Sequence, residues 1–313
     1  MSGEHNIAMW GAPGSGKTTF LAALNIAAMQ RQSMWSVIGA DAASTDFLVR
    51  MTETLAAQRR FPQATVGMER YRWFLLSEED GRRGRLFRRP ARRQVAIGLD
   101  LLDPSGEVYS SGRSAYRSRE ELVDVLARSR GIVYLFDPIR EAEEGDAFDH
   151  LHGVLIQLCQ RMLSAGRFSD GVLPHHVAVC VAKFDDRRIL ETALRLRLLT
   201  IDPEDPLRFP RVDDEDAAEL FRTLCEVSVD GSGKMVASAF ERYFHPDRIK
   251  YFVTSAIGFH VDPGRGVYDD DDSENLLPES GVSGFRIRGA VRPINIMEPL
   301  LWLGRRLSSG SRD

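Results

Sequence analysis

The chain has 313 residues, 43% hydrophobic and 27% charged, with a formal net charge of −4. That length and apolar share suit a globular protein with a sizeable core, and the slightly acidic balance excludes nucleic-acid binding by bulk positive charge. No apolar run approaches the roughly 20 residues of a membrane span, no signal-peptide pattern opens the chain, and Cys159, Cys180 and Cys225 lack metal-ligand spacing, so a cytoplasmic protein with reduced thiols is expected.

The apolar run 6–10 predicts a first strand and the helical period of 17–31 a first helix. Between them stand Gly11, Ala12, Pro13, Gly14, Ser15, Gly16, Lys17 and Thr18, which match G-x-x-x-x-G-K-[ST] in the required strand-to-helix setting. Glycines let backbone N–H groups close around a phosphate chain where side chains would block the approach. Lys17 then reaches the β- and γ-phosphates, the Thr18 hydroxyl binds Mg²⁺, and the helix start through Thr19 adds its positive dipole end. The plain alternative is a chance glycine-rich turn; the flanking strand and helix argue against it.

Ser44, Thr45 and Asp46 are candidate caps for a second helix to about residue 58. Residues 71–76 and 94–102 read as strands of a hairpin with a polar, arginine-rich connection. A helix is expected at 120–127, a strand at 131–136 ending at Asp137-Pro138, a helix at 148–163, strands at 177–182 and 251–254, and a closing helix at 296–307 within a terminal segment 290–313. This alternation predicts an α/β fold of three layers: a mostly parallel sheet with one antiparallel hairpin, forming a single domain over 1–313. Two stretches break the pattern. Residues 186–248 read as a helical insertion, with helices around 190–199 and 217–227. Residues 260–289, Gly- and Asp-rich with Asp269, Asp270, Asp271 and Asp272, read as a mobile loop.

Four later segments fit a guanine nucleotide in order. Asp103-Pro104-Ser105-Gly106 follows a buried strand: Asp103 can hold Mg²⁺ through water, and Gly106 N–H can reach the γ-phosphate, although an ordinary turn has the same composition. In Ala182-Lys183-Phe184-Asp185, Asp185 can accept guanine N1–H and the exocyclic amine, whereas adenine N1 would face it with a lone pair. The Lys183 stem can lie over the base. In Thr254-Ser255-Ala256-Ile257-Gly258, a backbone N–H near Ala256, next to Ser255, can donate to guanine O6. Thr65, in Thr65-Val66-Gly67, can complete the Mg²⁺ shell when a γ-phosphate is present, with Thr45, Thr52 and Thr54 as competitors.

With these motifs in this order the chain resembles the Ras-like P-loop GTPases of the translation-factor-related class, over residues 7 to about 258 plus the closing helix. Ala64-Thr65-Val66-Gly67 before a strand is similar to the switch segment of the Arf type. The resemblance implies a P-loop NTPase fold, Mg²⁺ with GTP or GDP, water attack on the γ-phosphate, and a switch read by a protein effector and assisted by an activating partner. Larger bacterial members occur in signalling or defence systems, some as double-GTPase components, and the insertions and the ending Pro299-Leu300-Leu301-Trp302-Leu303 are similar to those.

Three residues depart from the family pattern. Ala182 stands where Asn or Thr opens the base motif, Glu107 where Gln orients the attacking water, and Pro13 where many members have glycine. Slow turnover is therefore expected, with an arginine from a partner, or Arg59 or Arg60 internally, as the remedy. Two other readings stand beside this one. One is a non-hydrolysing nucleotide-binding scaffold. The other is an ATPase of the AAA+ or signalling type, against which no strand ends in an Asp-Glu pair. Gly231-Ser232-Gly233-Lys234-Met235 lacks the leading glycine and hydroxyl of a second phosphate loop. Arg82, Arg83, Arg85, Arg88, Arg89, Arg92 and Arg93 form a patch that can dock an acidic protein, an anionic membrane or RNA, with a solvated turn as the favoured reading, and His175 and His176 read as structural.

Overall fold

The computed structural model describes residues 5–30, 35–62, 68–79, 93–104, 113–229, 231–279 and 284–309. Strand β1 (His5–Gly11) is buried from Ile7 to Trp10, and helix α1 (Lys17–Gln30) is apolar on nearly every side, as the central strand and a fully covered helix require. Strand β2 (Trp35–Gly39) alternates half-buried and exposed residues and was not expected, because five residues of W-S-V-I-G carry too little period. Helix α2 (Ala42–Ala56) begins earlier than expected. Asp41 is its cap, accepting from Ser44 N at 2.7 Å. Ser44 is instead buried: its hydroxyl accepts from Arg72 N and its carbonyl from Trp73 Nε1.

Strands β3 (Met68–Glu79) and β4 (Arg93–Pro104) form the expected hairpin, in register from Met68 opposite Pro104 to Glu79 opposite Arg93. Helix α3 (Arg113–Arg128) starts seven residues before the expected 120, since R-S-A-Y-R-S-R shows no apolar period. There follow β5 (Gly131–Phe136), α4 (Pro138–Glu144), α5 (Ala147–Ser164), β6 (His176–Val181), α6 (Arg187–Arg195), β7 (Leu199–Ile201), β8 (Pro210–Val212), α7 (Ala217–Glu226), α8 (Gly233–Tyr243), β9 (Ile249–Val253), β10 (Leu276–Pro278), β11 (Phe285–Ile287) and α9 (Glu298–Ser309). The helix expected over 190–199 ends at Arg195, and only its last residue, Leu199, enters β7; Arg197, at φ 61°, makes the bend between them.

The main sheet has the order β2-β3-β4-β1-β5-β6-β9. Neighbours from β4 to β9 are parallel, and β2 and β3 add antiparallel pairings at one side. Two small antiparallel pairs, β7–β8 and β10–β11, stand outside it. Helices cover both faces. One face of β1, β5 and β6 (Trp10, Tyr134, Phe136, Val179) packs under α3, α5, α6, α7 and α8. The other (Met9, Leu135, Cys180) packs under α1, α2 and α9. The three cysteines are free thiols, and among the described residues no helix is long and apolar enough to cross a membrane.

Helices of the 186–248 stretch pack into the main core. Phe221 lies 5.1 Å from Phe136 and Phe240 4.9 Å from Tyr134, centroid to centroid, and both are fully buried. Each such ring contributes about 2–3 kcal/mol by burial, so α7 and α8 belong to the layer over β5. Residues 260–279 and 284–289, expected as a loop, carry a 3₁₀ turn and the β10–β11 hairpin. Buried Asn275 donates to the carbonyls of Ile257, Gly258 and Ala290 and accepts from Gly289 N, which ties this stretch to the segment after β9. Backbone groups of a loop find such partners only in three dimensions, so composition alone did not show them.

Candidate functional site

Five parallel strands, β4, β1, β5, β6 and β9, end at one edge of the sheet, and the segments that follow β1, β5, β6 and β9 meet there. From β1 the chain leaves toward β2 on one side; from β5 it leaves toward β6 on the other. Adjacent strands whose connections part in this way open a crevice at their C-terminal ends, the usual ligand position in open α/β sheets.

The segment after β1 lies at that crevice. Gly14 and Gly16 take φ of 73° and 90°, and Ser15 N donates to Ala12 O at 3.1 Å. This turns the backbone through the left-handed steps that make anion-binding nests. At Gly11 a Cβ would stand 2.7 Å from both Leu135 O and Ser15 Oγ, so β5 and the loop close over it only as glycine. Lys17 is buried, its ammonium donating to Gly11 O at 3.2 Å and Ala12 O at 3.0 Å. Ser15 Oγ is buried, and among the described residues no hydrogen bond reaches it. An anion on the loop would supply the acceptor for both groups, and in this respect the residues present fit a phosphate chain. Pro13 is half-buried, and Thr18 and Thr19 are half-buried in the first turn of α1.

Strand β4 carries two aspartates. Asp100 is buried and committed to Arg72 at 2.7 Å and Arg70 at 3.6 Å. Asp103 stands three residues further along, at the strand's end, opposite Glu69; Ala8 pairs with Asp100, and Gly11 is likewise three residues beyond Ala8. Thr45, Thr52 and Thr54, the competitors for the Mg²⁺ role, donate to carbonyls of Asp41, Leu48 and Arg50 at or within α2. Thr65, Gly106 and Glu107 lie outside the described residues, as does the arginine cluster from Arg82 to Arg92. Arg59 and Arg60 do not turn to the loop: Arg59 donates to Arg288 O, and Arg60 pairs with Glu279 at 2.6 Å.

The segments after β6 and β9 are one unit. Phe184 N donates to Thr254 O, and Thr254 N to Val181 O. The Ser255 hydroxyl donates to Asp185 and accepts from Gly258 N at 2.8 Å. Burial raises the Asp185 carboxyl to about 6, against the lowering effect of Ser255. Ala256 is half-buried in the same turn. Lys183 sits at φ 60°, a conformation that costs a non-glycine residue energy and clusters at functional sites. Its ammonium meets buried Asp137 at 2.6 Å, so its head points along the edge toward β5.

Asp137 was not foreseen. It follows β5 and caps α4, accepting from Ile139 N and Arg140 N, and an Asp before Pro reads as an ordinary helix start. His175 is buried, with Nε2 on Leu126 O, and burial lowers it to about 4; it takes no part in the site. Neither of two clefts of ≈ 550 and ≈ 540 Å³ is lined by the loop after β1. Among the described residues no group of three His, Cys, Asp or Glu is placed to hold a metal. No family model matches this chain, and no curated protein matches it.

Proposed function

We propose that the chain is a guanine-nucleotide-binding switch of the Ras-like type that hydrolyses GTP slowly with Mg²⁺. The observation that carries this reading is the meeting, at one sheet edge, of the nest after β1 with the Asp185–Ser255 pair joining the segments after β6 and β9. The first suits phosphates and the second a base edge with two N–H donors. Lys17 and the loop amides would hold the β- and γ-phosphates, and Thr18 with Asp103 would hold Mg²⁺. The bound ion supplies charge neutralisation at the phosphates. Thr65 and the 103–107 segment would be the parts that sense triphosphate, for a protein effector to read. A bacterial signalling or defence setting is the finer part of the same proposal.

Lys183 offers a reason why Ala182 is tolerated. The ammonium–Asp137 pair ties the base segment to the end of β5, beside the loop strand, where the family's Asn or Thr would make its own tie. The test is phosphate release from GTP by the purified protein with Mg²⁺. A single-turnover rate on the order of 10⁻⁴ to 10⁻² s⁻¹ is expected. ATP turned over as fast as GTP would contradict the reading, and GTP retained without release would favour the non-hydrolysing scaffold.

A further inference from the structure

Arg140 lies in the first turn of α4, just past Asp137. A Cβ built on Gly14 would stand 4.0 Å from its Nη1, which brings the guanidinium to the outer turn of the candidate phosphate loop. The group is held from behind. Nε donates to Asp146 at 2.9 Å and Nη2 at 2.5 Å, a two-point grip that fixes the plane of the fork. Glu144 takes Nη2 as well, at 2.9 Å. Asp146 is itself met by His150 at 3.0 Å. Among the described residues no hydrogen bond engages Nη1, the nitrogen nearest Gly14. Three of the guanidinium's five N–H groups are thus on Nε and Nη2, and the two on Nη1 are left at the loop.

We propose that Arg140 is an internal arginine for the terminal phosphate of the bound nucleotide. Asp146 would be its positioning residue, and Nη1 would donate to a γ-phosphate oxygen. This rests on the nucleotide reading above and deepens it: the positive charge expected from a partner, or from Arg59 or Arg60, would come instead from Arg140 in α4. A guanidinium already oriented by a carboxylate loses little freedom on meeting a phosphate, and the side chain is one quarter exposed, within reach of a ligand on the loop. A purely structural Arg140–Asp146 pair would tie α4 to α5 and be indifferent to the number of phosphates.

The experiment is equilibrium binding of GTPγS and of GDP, each with Mg²⁺, to the full wild-type chain, Arg140→Ala and Arg140→Lys. Arg140→Ala is expected to weaken GTPγS by about ten- to a hundredfold, the loss of a charge-assisted bond, while GDP changes less than about threefold. Arg140→Lys keeps the charge without the fork, falls in between, and carries the test if the alanine variant does not fold. Equal losses for both nucleotides, or none, would overturn the role of Arg140 and leave the nucleotide reading intact. A wild-type chain that binds neither nucleotide overturns both.

Discussion

Lys17→Ala is expected to weaken nucleotide binding severely. The ammonium is buried at the mouth of the loop and now rests on two loop carbonyls, at 3.2 and 3.0 Å. A triphosphate replaces those neutral acceptors with anionic oxygens, for which the interaction is roughly twice as strong. Truncating one partner of such a buried charge pair costs about 2–5 kcal/mol, a loss of roughly 30- to 5,000-fold. The loop also loses a donor for Gly11 O and Ala12 O, so a parallel stability loss of about 1–3 kcal/mol is expected, visible as a lower midpoint in urea. Calorimetric titration of the folded variant with GTP checks the first effect. GTP affinity equal to wild type in folded Lys17→Ala protein would remove the loop from the account.

The second large effect is at Asp185. Asp185→Asn replaces a double acceptor with a group that presents one acceptor and one donor. A site built to pair with a donor rejects a base lacking it by large factors, because its own polar group is left unpaired. GTP affinity is therefore expected to fall by about a hundredfold with ATP nearly unchanged, so that base preference largely disappears. The pH dependence gives an independent readout. The folded carboxyl titrates near 6, above the 3.8 of an ordinary aspartate, because burial disfavours its charge. A guanine paired with Asp185 needs the ionised form, so wild-type GTP affinity is expected to fall as pH drops below about 6, approaching tenfold per pH unit. The free protein moves the other way. With its pKa raised on folding, the native state binds more protons than the unfolded one between about 4 and 6. This group's contribution to stability is therefore full below that window and is lost as pH rises through 6. Asp185→Asn is expected to abolish both dependences. GTP affinity in the wild type that is flat from pH 5 to 7 would show that Asp185 does not face the base.

Much of this edge was legible in the chain. The turn from Gly11 to Thr18 was legible because its left-handed steps at Gly14 and Gly16, and the close approach at Gly11, need glycines at fixed positions. The strands were legible because both faces of β1, β5 and β6 are covered, which leaves uninterrupted apolar runs. The polar half of α3, the five residues of β2 and the Asp41 cap were not, since each is fixed by tertiary partners or by a single side-chain bond. The same holds within the site. Asp185 and Ser255 stand 70 residues apart, and only the β6–β9 pairing brings them together. Asp137 and Arg140 carry no motif at all: their place follows from β5 lying beside β1 and from the grip of Asp146. Asn275 likewise draws the acidic, Gly-rich stretch onto the segment after β9 through bonds that composition does not encode.

The most direct measurement is calorimetric titration of the wild-type chain with GTP and with ATP, with and without Mg²⁺, at pH 7.5. Mg²⁺-dependent binding of GTP, at least about a hundredfold tighter than that of ATP, is expected. Equal affinity for the two, or a preference for ATP, would contradict guanine reading by Asp185 and turn the site over to the ATPase alternative.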